Sequence, residues 1–171
     1  MKKAGLALAL VLLLSGCGAK ALESEEYVED GINDAVSEPY QIVFGVPQDA
    51  VQTTFGEEST LEIYEAANGD YMITTEVLEA TSVESAIEEV SGIPAERLTV
   101  LKLQRFPMPE YHFAWSSTGE EGETVSRAAL IAAEDYYYVM TMTERAGLGE
   151  AYKETADYVF STFGLTTYDL I

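Results

Sequence analysis

The hydrophobic pattern changes period along the chain, and this change limits the folds that the sequence can adopt. Apolar residues alternate with a period of two, as in half-buried strands, except in two segments where they recur every three or four residues, as in helices. The strand-type segments are Tyr40 to Val46, Leu61 to Ala66, Tyr71 to Glu79, Leu98 to Phe106, Tyr111 to Ser117, Glu123 to Ala133 and Tyr136 to Thr143. The pattern therefore predicts strands, a helix, more strands and a closing helix.

The second and third strand-type segments are separated only by Ala67-Asn68-Gly69-Asp70. Asn-Gly between two such segments is the strongest short hairpin signal, because a two-residue hairpin turn needs positive φ at both positions. The connections among the last four strand-type segments are also short. Short connections join antiparallel neighbours, since parallel pairing needs a long crossover.

The first helical segment is predicted over Ser82 to Ser91. Its apolar face consists of Val83, Ala86, Ile87 and Val90. Thr81 is placed to cap the amino end, with Glu84 three residues later as in a capping box. Gly92 follows the last turn and Pro94 prevents continuation, so the stop signals agree with the start.

The second helical segment closes the chain and has the longest helical pattern. Its apolar residues occur at helical spacing through four turns, and Gly164 is predicted to end it. They are Leu148, Ala151, Tyr152, Thr155, Ala156, Val159, Phe160 and Phe163. Together the segments predict the α+β class, with an antiparallel sheet of about six to seven strands packed against two main helices.

This order resembles the Mog1/PsbP-like fold, an α-β-α sandwich that includes small bacterial lipoproteins and DcrB-type proteins. Four segments between residues 40 and 165 carry the resemblance. These segments are Ile42-Val43-Phe44-Gly45-Val46-Pro47, the helix at Ser82 to Ser91, Tyr136-Tyr137-Tyr138-Val139 and Asp157-Tyr158-Val159-Phe160-Ser161-Thr162-Phe163. The sequence departs from the family after the first proline, where Gln48-Asp49-Ala50 stands in place of the usual glycine-tryptophan. The resemblance implies a partner-binding or assembly role without catalysis.

The amino-terminal segment has the pattern of an export signal. Lys2 and Lys3 precede an apolar run from Ala4 to Leu14, which is shorter than the roughly twenty residues that cross a bilayer. The run ends in Leu14-Ser15-Gly16-Cys17, which resembles the bacterial lipobox. In that motif the cysteine sulfur receives a diacylglyceryl group, and signal peptidase II then cuts just before the cysteine. We therefore expect Cys17, the single cysteine, to carry lipid.

These patterns divide the chain into four parts. Residues 1–16 are the expected signal peptide, and 17–39 the lipidated cysteine and an acidic tether. Residues 40–165 are expected to form a single α+β domain, and 166–171 a carboxy-terminal tail. The expected location is the cell membrane, where the lipid on Cys17 anchors the protein on the extracytoplasmic face.

The charge balance limits the partners. The chain has 30 acidic and 9 basic residues and a formal net charge of −21. Nucleic acid is disfavoured because its binding depends on cationic contacts with phosphate. Flat binding to anionic lipid is disfavoured for the same reason, so membrane contact is expected only through the acyl group.

No catalytic motif, cofactor motif or metal motif stands out, and we expect none of these sites. His112 is the single histidine, and no sequence motif marks a nucleophile for it. Methionine sulfur and histidine nitrogen can ligate copper, but methionine is also a common filler of protein cores, and core packing is the expected role here. The residues concerned are His112, Met72, Met108, Met140 and Met142. The acidic loop of residues 119–123 lacks the ligand spacing of a calcium loop. A hydrolase alternative has only Glu110, Glu134 and Asp135 near the aromatic strands.

An aromatic group is the candidate binding surface. If one face of it stays open, it offers a platform for a sugar, a peptide or a protein; if a helix covers it, it is core. The group consists of Tyr111, Phe113, Trp115, Tyr136 and Tyr138. The function predicted first is a non-catalytic binding or accessory domain for a protein partner, and the alternatives are solute or glycan binding on this face and a carboxylate hydrolase.

The lipid anchor is testable by the substitution Cys17→Ala. It removes the sulfur that accepts the diacylglyceryl group, so the protein should leave the membrane fraction, whereas the unsubstituted protein should stay there. Metabolic labelling with a fatty acid and membrane fractionation measure this. Continued acylation and membrane binding of Cys17→Ala would show that the anchor assignment is wrong.

Overall fold

The computed structural model describes residues 40–54, 60–105, 107–120 and 122–167. They form nine strands, two α-helices and a short 3₁₀ turn, Ala95–Arg97. The expected signal peptide, Cys17 and the tether lie outside the described residues. Within the described ranges, no helix combines the length and apolar character needed to cross a bilayer.

Seven strands form one antiparallel sheet in the order β2-β3-β4-β8-β7-β6-β5. Strands that are consecutive in the chain and adjacent in the sheet are joined by short connections, as predicted for antiparallel pairing, whereas β4 and β5 are joined through a helix. The strands are β2 (Ala50–Thr54), β3 (Thr60–Ala66), β4 (Tyr71–Leu78), β5 (Leu101–Arg105), β6 (Met108–Gly119), β7 (Gly122–Ala133) and β8 (Tyr136–Arg145). The predicted class, a seven-stranded antiparallel sheet with two main helices, is confirmed.

The two helices cover opposite faces of the sheet. Helix α1 (Val83–Ser91) buries Ala86 and Ile87 on the α1 face, which carries Leu78, Phe113, Ala128, Leu130 and Val139. Helix α2 (Lys153–Thr162) buries Ala156 and Val159 on the α2 face, which carries Tyr71, Ile73, Ala129, Ile131, Met140 and Met142. Successive side chains of β4, β7 and β8 point to opposite faces of the sheet, and these central strands carry apolar residues on both sides.

A separate two-stranded ribbon adds to the cover of the α2 face. Strand β1 (Tyr40–Val43) pairs with β9 (Gly164–Thr167), with Tyr40 opposite Thr167. Ile42 and Leu165 of the ribbon pack on the central strands beside α2. The sequence pattern did not predict β2 or β9, and β9 crosses the boundary that the sequence analysis placed at residue 165.

Helix α1 begins one residue later than the predicted cap. The N-cap is Ser82, not Thr81: its side chain accepts from the Ser85 N–H, while Ser85 Oγ accepts from the Ser82 N–H. The capping box is therefore Ser82 with Ser85, and Glu84 is not part of it. Gly92 ends the helix as predicted, with φ of 68° and its N–H bonded to Glu88 O.

Helix α2 is shorter at its start than the sequence pattern suggested. Residues 148–152 form turns instead, because Gly149 disfavours helix in that stretch. At the other end Phe163, not Gly164, follows the last helical residue in an extended conformation, and Gly164 enters β9. Tyr152 marks the beginning of α2 and bonds through its hydroxyl to Asp70, which joins α2 to the β3–β4 turn.

The Asn-Gly hairpin between β3 and β4 is present, but its turn differs from the expected type. Gly69 has φ of 69°, while Asn68 does not have positive φ. The Gly69 N–H bonds to Ala66 O at 2.8 Å, and Asn68 Oδ1 accepts from the Asp70 N–H. The four-residue loop thus leaves only one position that requires glycine.

The position of the α1 cap is testable by a pair of alanine substitutions. Ser82→Ala should lower the free energy of unfolding by about 1 kcal/mol, because it leaves a helix N–H without its acceptor. Thr81→Ala should change the unfolding free energy by less than about 0.5 kcal/mol, as at an ordinary exposed position. Urea denaturation measures both, and the reverse order of effects would contradict the cap assignment.

Candidate functional site

The cover of the α2 face stops short of one side of the sheet. Helix α2 and the β1–β9 ribbon pack over β4, β8 and β7, whereas Leu101 and Leu103 of β5 stay 59% and 46% exposed. A groove of about 420 Å³ lies between α2 and this open side. Its lining residues are Thr99, Leu101, His112, Phe113, Ala114, Arg127, Ala128, Asp157 and Phe160.

One floor residue of the groove is His112, which is paired with a buried acid. Glu110 lies two residues before it on β6, so both side chains project from the α2 face. Glu110 is fully buried, and its Oε1 lies 2.6 Å from His112 Nε2. A buried carboxylate needs such a partner, because its desolvation is costly without one. The pair fixes the imidazole at the groove, where it lies beside the ring of Phe160 at a centroid distance of 6.0 Å.

A second polar residue of the floor, Arg127, is held by another buried acid. Its guanidinium donates to Glu144 Oε1 at 2.6 Å, and Glu144 on β8 is only 3% exposed. Glu144 Oε2 has no hydrogen-bond partner among the described residues. The turn before α2 passes close to this pair at Gly149, where an added Cβ would come within 3.3 Å of Glu144 Oε1. Gly149 therefore allows the turn to lie over the ion pair.

Helix α2 forms the wall of the groove with Asp157 and Phe160. Asp157 is bonded to Lys153 one turn earlier at 2.5 Å, and this hydrogen bond is the main reason why the pKa of Lys153 is raised. Both side chains of this pair are well exposed. The wall thus presents an aromatic ring next to a carboxylate that already has a cationic partner.

The chemistry of the groove suits binding. It combines exposed apolar side chains with the His112 imidazole and the Arg127 guanidinium, each bonded to a buried carboxylate and still partly exposed. Among the described residues, the His112 ring makes no hydrogen bond to a hydroxyl, so no nucleophile–base pair is formed with it. The described residues of the groove therefore supply apolar contact and polar recognition.

The aromatic group that the sequence analysis proposed does not form one surface. Tyr111, Phe113 and Trp115 lie on the α1 face, where Phe113 is buried and stacks on Trp115 at 5.6 Å. Tyr136 and Tyr138 lie on the other side of the sheet, where Tyr138 is fully buried in the core under the ribbon. The prediction of a common platform is wrong because β7 separates β6 from β8 and the two sets project from opposite faces.

The weaker candidates are also dispersed. Met140 and Met142 are buried in the core below α2, while Met72 is exposed and projects from the α1 face. Glu134 and Asp135 occupy the exposed β7–β8 turn, whereas Glu110 is buried on β6 opposite Ile131. Among the described residues, no group of three or more His, Cys, Asp or Glu side chains is arranged to hold a metal ion. Of the 119–123 loop, Glu121 lies outside the described residues.

Sequence reasoning missed Leu101, Arg127 and Phe160 as parts of one site. The spacing of Glu110 and His112 was visible, but Glu110 was considered only as a hydrolase acid, and His112 only as a catalytic base or a copper ligand. Arg127 and Phe160 are far apart in sequence from His112, and only the packing of α2 brings all three together. The one usable signal was an arginine within an otherwise apolar strand that also contains Ala128, Ala129 and Leu130.

Neither a protein-family model nor a curated protein matches the sequence. Solved structures match the fold at low identity. The cyanobacterial PsbP (CyanoP) from Synechocystis sp. PCC 6803 matches with a TM-score of 0.54 and 11% identity, over 77% of this chain and 96% of that chain.

Two further structures match with similar scores. LpqN of Mycobacterium tuberculosis, described as involved in cell envelope biogenesis, has a TM-score of 0.51 and 10% identity, over 76% of this chain and 87% of that one. A protein of Bacteroides thetaiotaomicron VPI-5482 has a TM-score of 0.50 and 10% identity, over 76% of this chain and 46% of that one. These matches show that the fold is PsbP/Mog1-like, as the sequence resemblance implied.

The ion pair below the groove is testable by the substitution Arg127→Met. It leaves the buried Glu144 carboxylate without its cation and should lower the free energy of unfolding by about 2–3 kcal/mol. The loss is smaller than for a fully buried pair, since Arg127 is one-third exposed. Adding Glu144→Gln to Arg127→Met should restore about 1 kcal/mol or more.

The matched control is Arg145→Met, which removes a well-exposed arginine that lies 3.5 Å from Asp70. Surface ion pairs contribute about 0–1 kcal/mol, so this variant should stay close to the unsubstituted protein in urea denaturation. Equal losses for the two arginine variants would show that Glu144 does not depend on Arg127.

Proposed function

We propose that the protein is a non-catalytic binding domain that is held to the membrane by lipid on Cys17 and binds a protein partner through the groove beside α2. The observation that carries the proposal is the uncovered side of the α2 face. There, exposed leucines of β5, the Phe160 ring and the His112 and Arg127 head groups lie next to one another.

The groove chemistry supports a protein partner in particular. Exposed apolar side chains bordered by polar groups that can make further hydrogen bonds are typical of protein interaction sites. The arginine is already oriented by Glu144, so less side-chain freedom is lost when a partner carboxylate or carbonyl contacts it. A partner can bury Leu101 and Phe160 while it satisfies the free N–H groups of Arg127.

The location on the extracytoplasmic side of the membrane is proposed from the sequence. The signal pattern and the lipobox-like residues 14–17 support a lipid anchor, and the strong negative charge argues against any further contact with anionic lipid. LpqN, a protein of the same fold, is described as involved in cell envelope biogenesis. An accessory role at the cell envelope agrees with this anchor, with the fold and with the open groove.

The two alternatives from the sequence have less support. Solute or glycan binding on the aromatic face required Tyr111, Phe113 and Trp115 to be open, whereas Phe113 is buried beneath α1. The hydrolase alternative required two facing carboxylates, and Glu110 is instead bonded to His112 inside the sheet. Partner binding in the α2 groove is therefore the function that the geometry supports best.

The proposal is testable by site-specific photo-crosslinking in the cells that make the protein. A photoreactive amino acid at Ala114 sits in the groove, and one at Glu88 sits on the exposed side of α1 as the matched control. We expect a discrete crosslinked species from position 114 and none from position 88, because only the groove contacts the partner. Gel mobility and mass spectrometry identify the species.

The captured protein should then bind the purified domain, and Phe160→Ala should weaken that binding at least tenfold. Thr166→Ala, an exposed position on β9, should leave the binding unchanged. Equal crosslinking from positions 114 and 88, or binding that Phe160→Ala does not alter, would refute the groove as the partner site.

A further inference from the structure

The two edges of the large sheet differ in regularity. Strand β2 forms one edge, and its pairing with β3 is interrupted by a register shift between Gln52 and Thr54. Strand β5 forms the other edge, and all five of its residues pair with β6 without a shift. Bulges are one of the means by which proteins prevent a sheet edge from pairing with another chain. The β5 edge lacks this protection and also contains no proline.

The free backbone groups of β5 follow from the position of Pro109. Gln104 lies opposite Pro109, which has no N–H, so this pair cannot be one of the hydrogen-bonded pairs of the antiparallel ladder. Bonded and non-bonded pairs alternate along the ladder. Leu103 is therefore bonded to β6, while Lys102 and Gln104 direct their N–H and C=O groups to the open edge. No other described strand pairs with β5 there.

Strand β5 adds two leucines on one face and two basic residues, Lys102 and Arg105. Leu101 and Leu103 lie opposite His112 and Glu110, hence on the α2 face at the border of the groove. Lys102 projects from the other face, where its Nζ lies 5.4 Å from the centre of the Tyr111 ring. This cation is one of few basic residues in a chain with a net charge of −21.

We propose that the β5 edge binds an extended segment of the partner protein, which adds to the sheet as an eighth strand. This inference rests on the proposed function and specifies how the partner binds. Backbone bonds to Lys102 and Gln104 supply affinity, as in other cases of strand addition. Apolar side chains of the segment pack on Leu101 and Leu103, and an acidic side chain between them lies opposite Lys102. The segment therefore has an apolar-acidic-apolar pattern.

A second copy of the chain fits this edge less well than such a segment. Two copies would each bring a net charge of −21 to the contact, and pairing centred on Lys102 would place two ammonium groups opposite each other. An acidic residue opposite Lys102 instead gives a favourable cross-strand pair. The charge of the edge thus selects a partner segment with one local acid.

The test uses a short capped peptide of sequence Thr-Val-Glu-Val-Thr and the amide NMR spectrum of the protein. At millimolar peptide, the signals of Lys102 and Gln104 should shift, and their amide hydrogens should exchange at least threefold more slowly with solvent. A peptide of the same sequence that is N-methylated at the glutamate and at both valines should have no such effect, since it cannot complete the ladder in either strand direction. A peptide with lysine in place of glutamate should bind at least threefold more weakly.

Substitution of Gln104 separates edge binding from loss of the fold. Gln104→Pro removes an N–H that β6 does not use, and proline is accepted at such edge positions. It should leave the remaining amide spectrum in place and abolish peptide binding, while Gln104→Ala should bind as the unsubstituted protein does. Peptide-induced shifts that persist in Gln104→Pro, shifts confined to other residues, or no shifts at all would overturn the proposal. So would dimerisation through β5 in sedimentation.

The outcome is distinguishable from failure of the groove itself. If Gln104→Pro leaves binding of the captured partner unchanged while Phe160→Ala weakens it, the proposed function stands and strand addition is wrong. If neither substitution affects the captured partner, the proposed function is wrong as well.

Discussion

The structure depends on the burial of both apolar faces of the sheet, but the elements that cover the α2 face are together narrower than the sheet. Seven strands at about 4.8 Å spacing make a sheet roughly 30 Å wide, whereas a helix with its side chains is about 10 Å across. On the α2 face, one helix and a two-stranded ribbon together cover roughly 20 Å. The uncovered remainder is about two strands wide. It coincides with β5 and with β6 from His112 onward, where the groove lies, whereas Glu110 earlier on β6 is fully buried. The groove is thus a consequence of sheet width.

The charged residues of the α2 face lie at the limit of this cover. Glu110 and Glu144 are buried, and they are bonded to His112 and Arg127, whose side chains are about one-third exposed. A carboxylate in the dry part of the face would be costly alone, and a partner side chain in the wet part retains some hydration. The boundary between covered and open sheet is where both conditions hold. The same arrangement gives the groove an oriented imidazole and an oriented guanidinium next to apolar side chains.

Local sequence signals were sufficient for most of the framework. The β3–β4 hairpin, the α1 stop at Gly92 and the class of the fold followed from period and turn residues. The pattern missed β2 and β9. Strand β9 pairs with β1 across more than a hundred residues, and no local pattern marks that pairing. The cap of α1 is Ser82, one residue after the predicted Thr81, because the Ser82 N–H donates to Ser85 Oγ and completes a capping box there.

The candidate site was harder to predict than the fold for a related reason. Alternation correctly placed Tyr111, Phe113 and Trp115 on one side of β6 and His112 on the other. It could not show that α1 covers the first side or that α2 leaves part of the second side open. That outcome depends on the position at which Val159 and Phe163 pack α2 against the sheet. The aromatic residues were proposed as a binding surface because of their residue type, whereas the packing of the helices determines which surface stays open.

The central claim is that a partner covers the open part of the α2 face in the cell. Hydroxyl-radical footprinting of the full protein in intact cell envelopes, compared with the purified protein, tests this most directly. The account predicts that Leu101, Leu103 and Phe160 become less reactive in the envelope, while the exposed Val51 and Met72 on the opposite half of the sheet keep their reactivity. Unchanged reactivity of the groove residues, or protection of Val51 and Met72 instead, would contradict it.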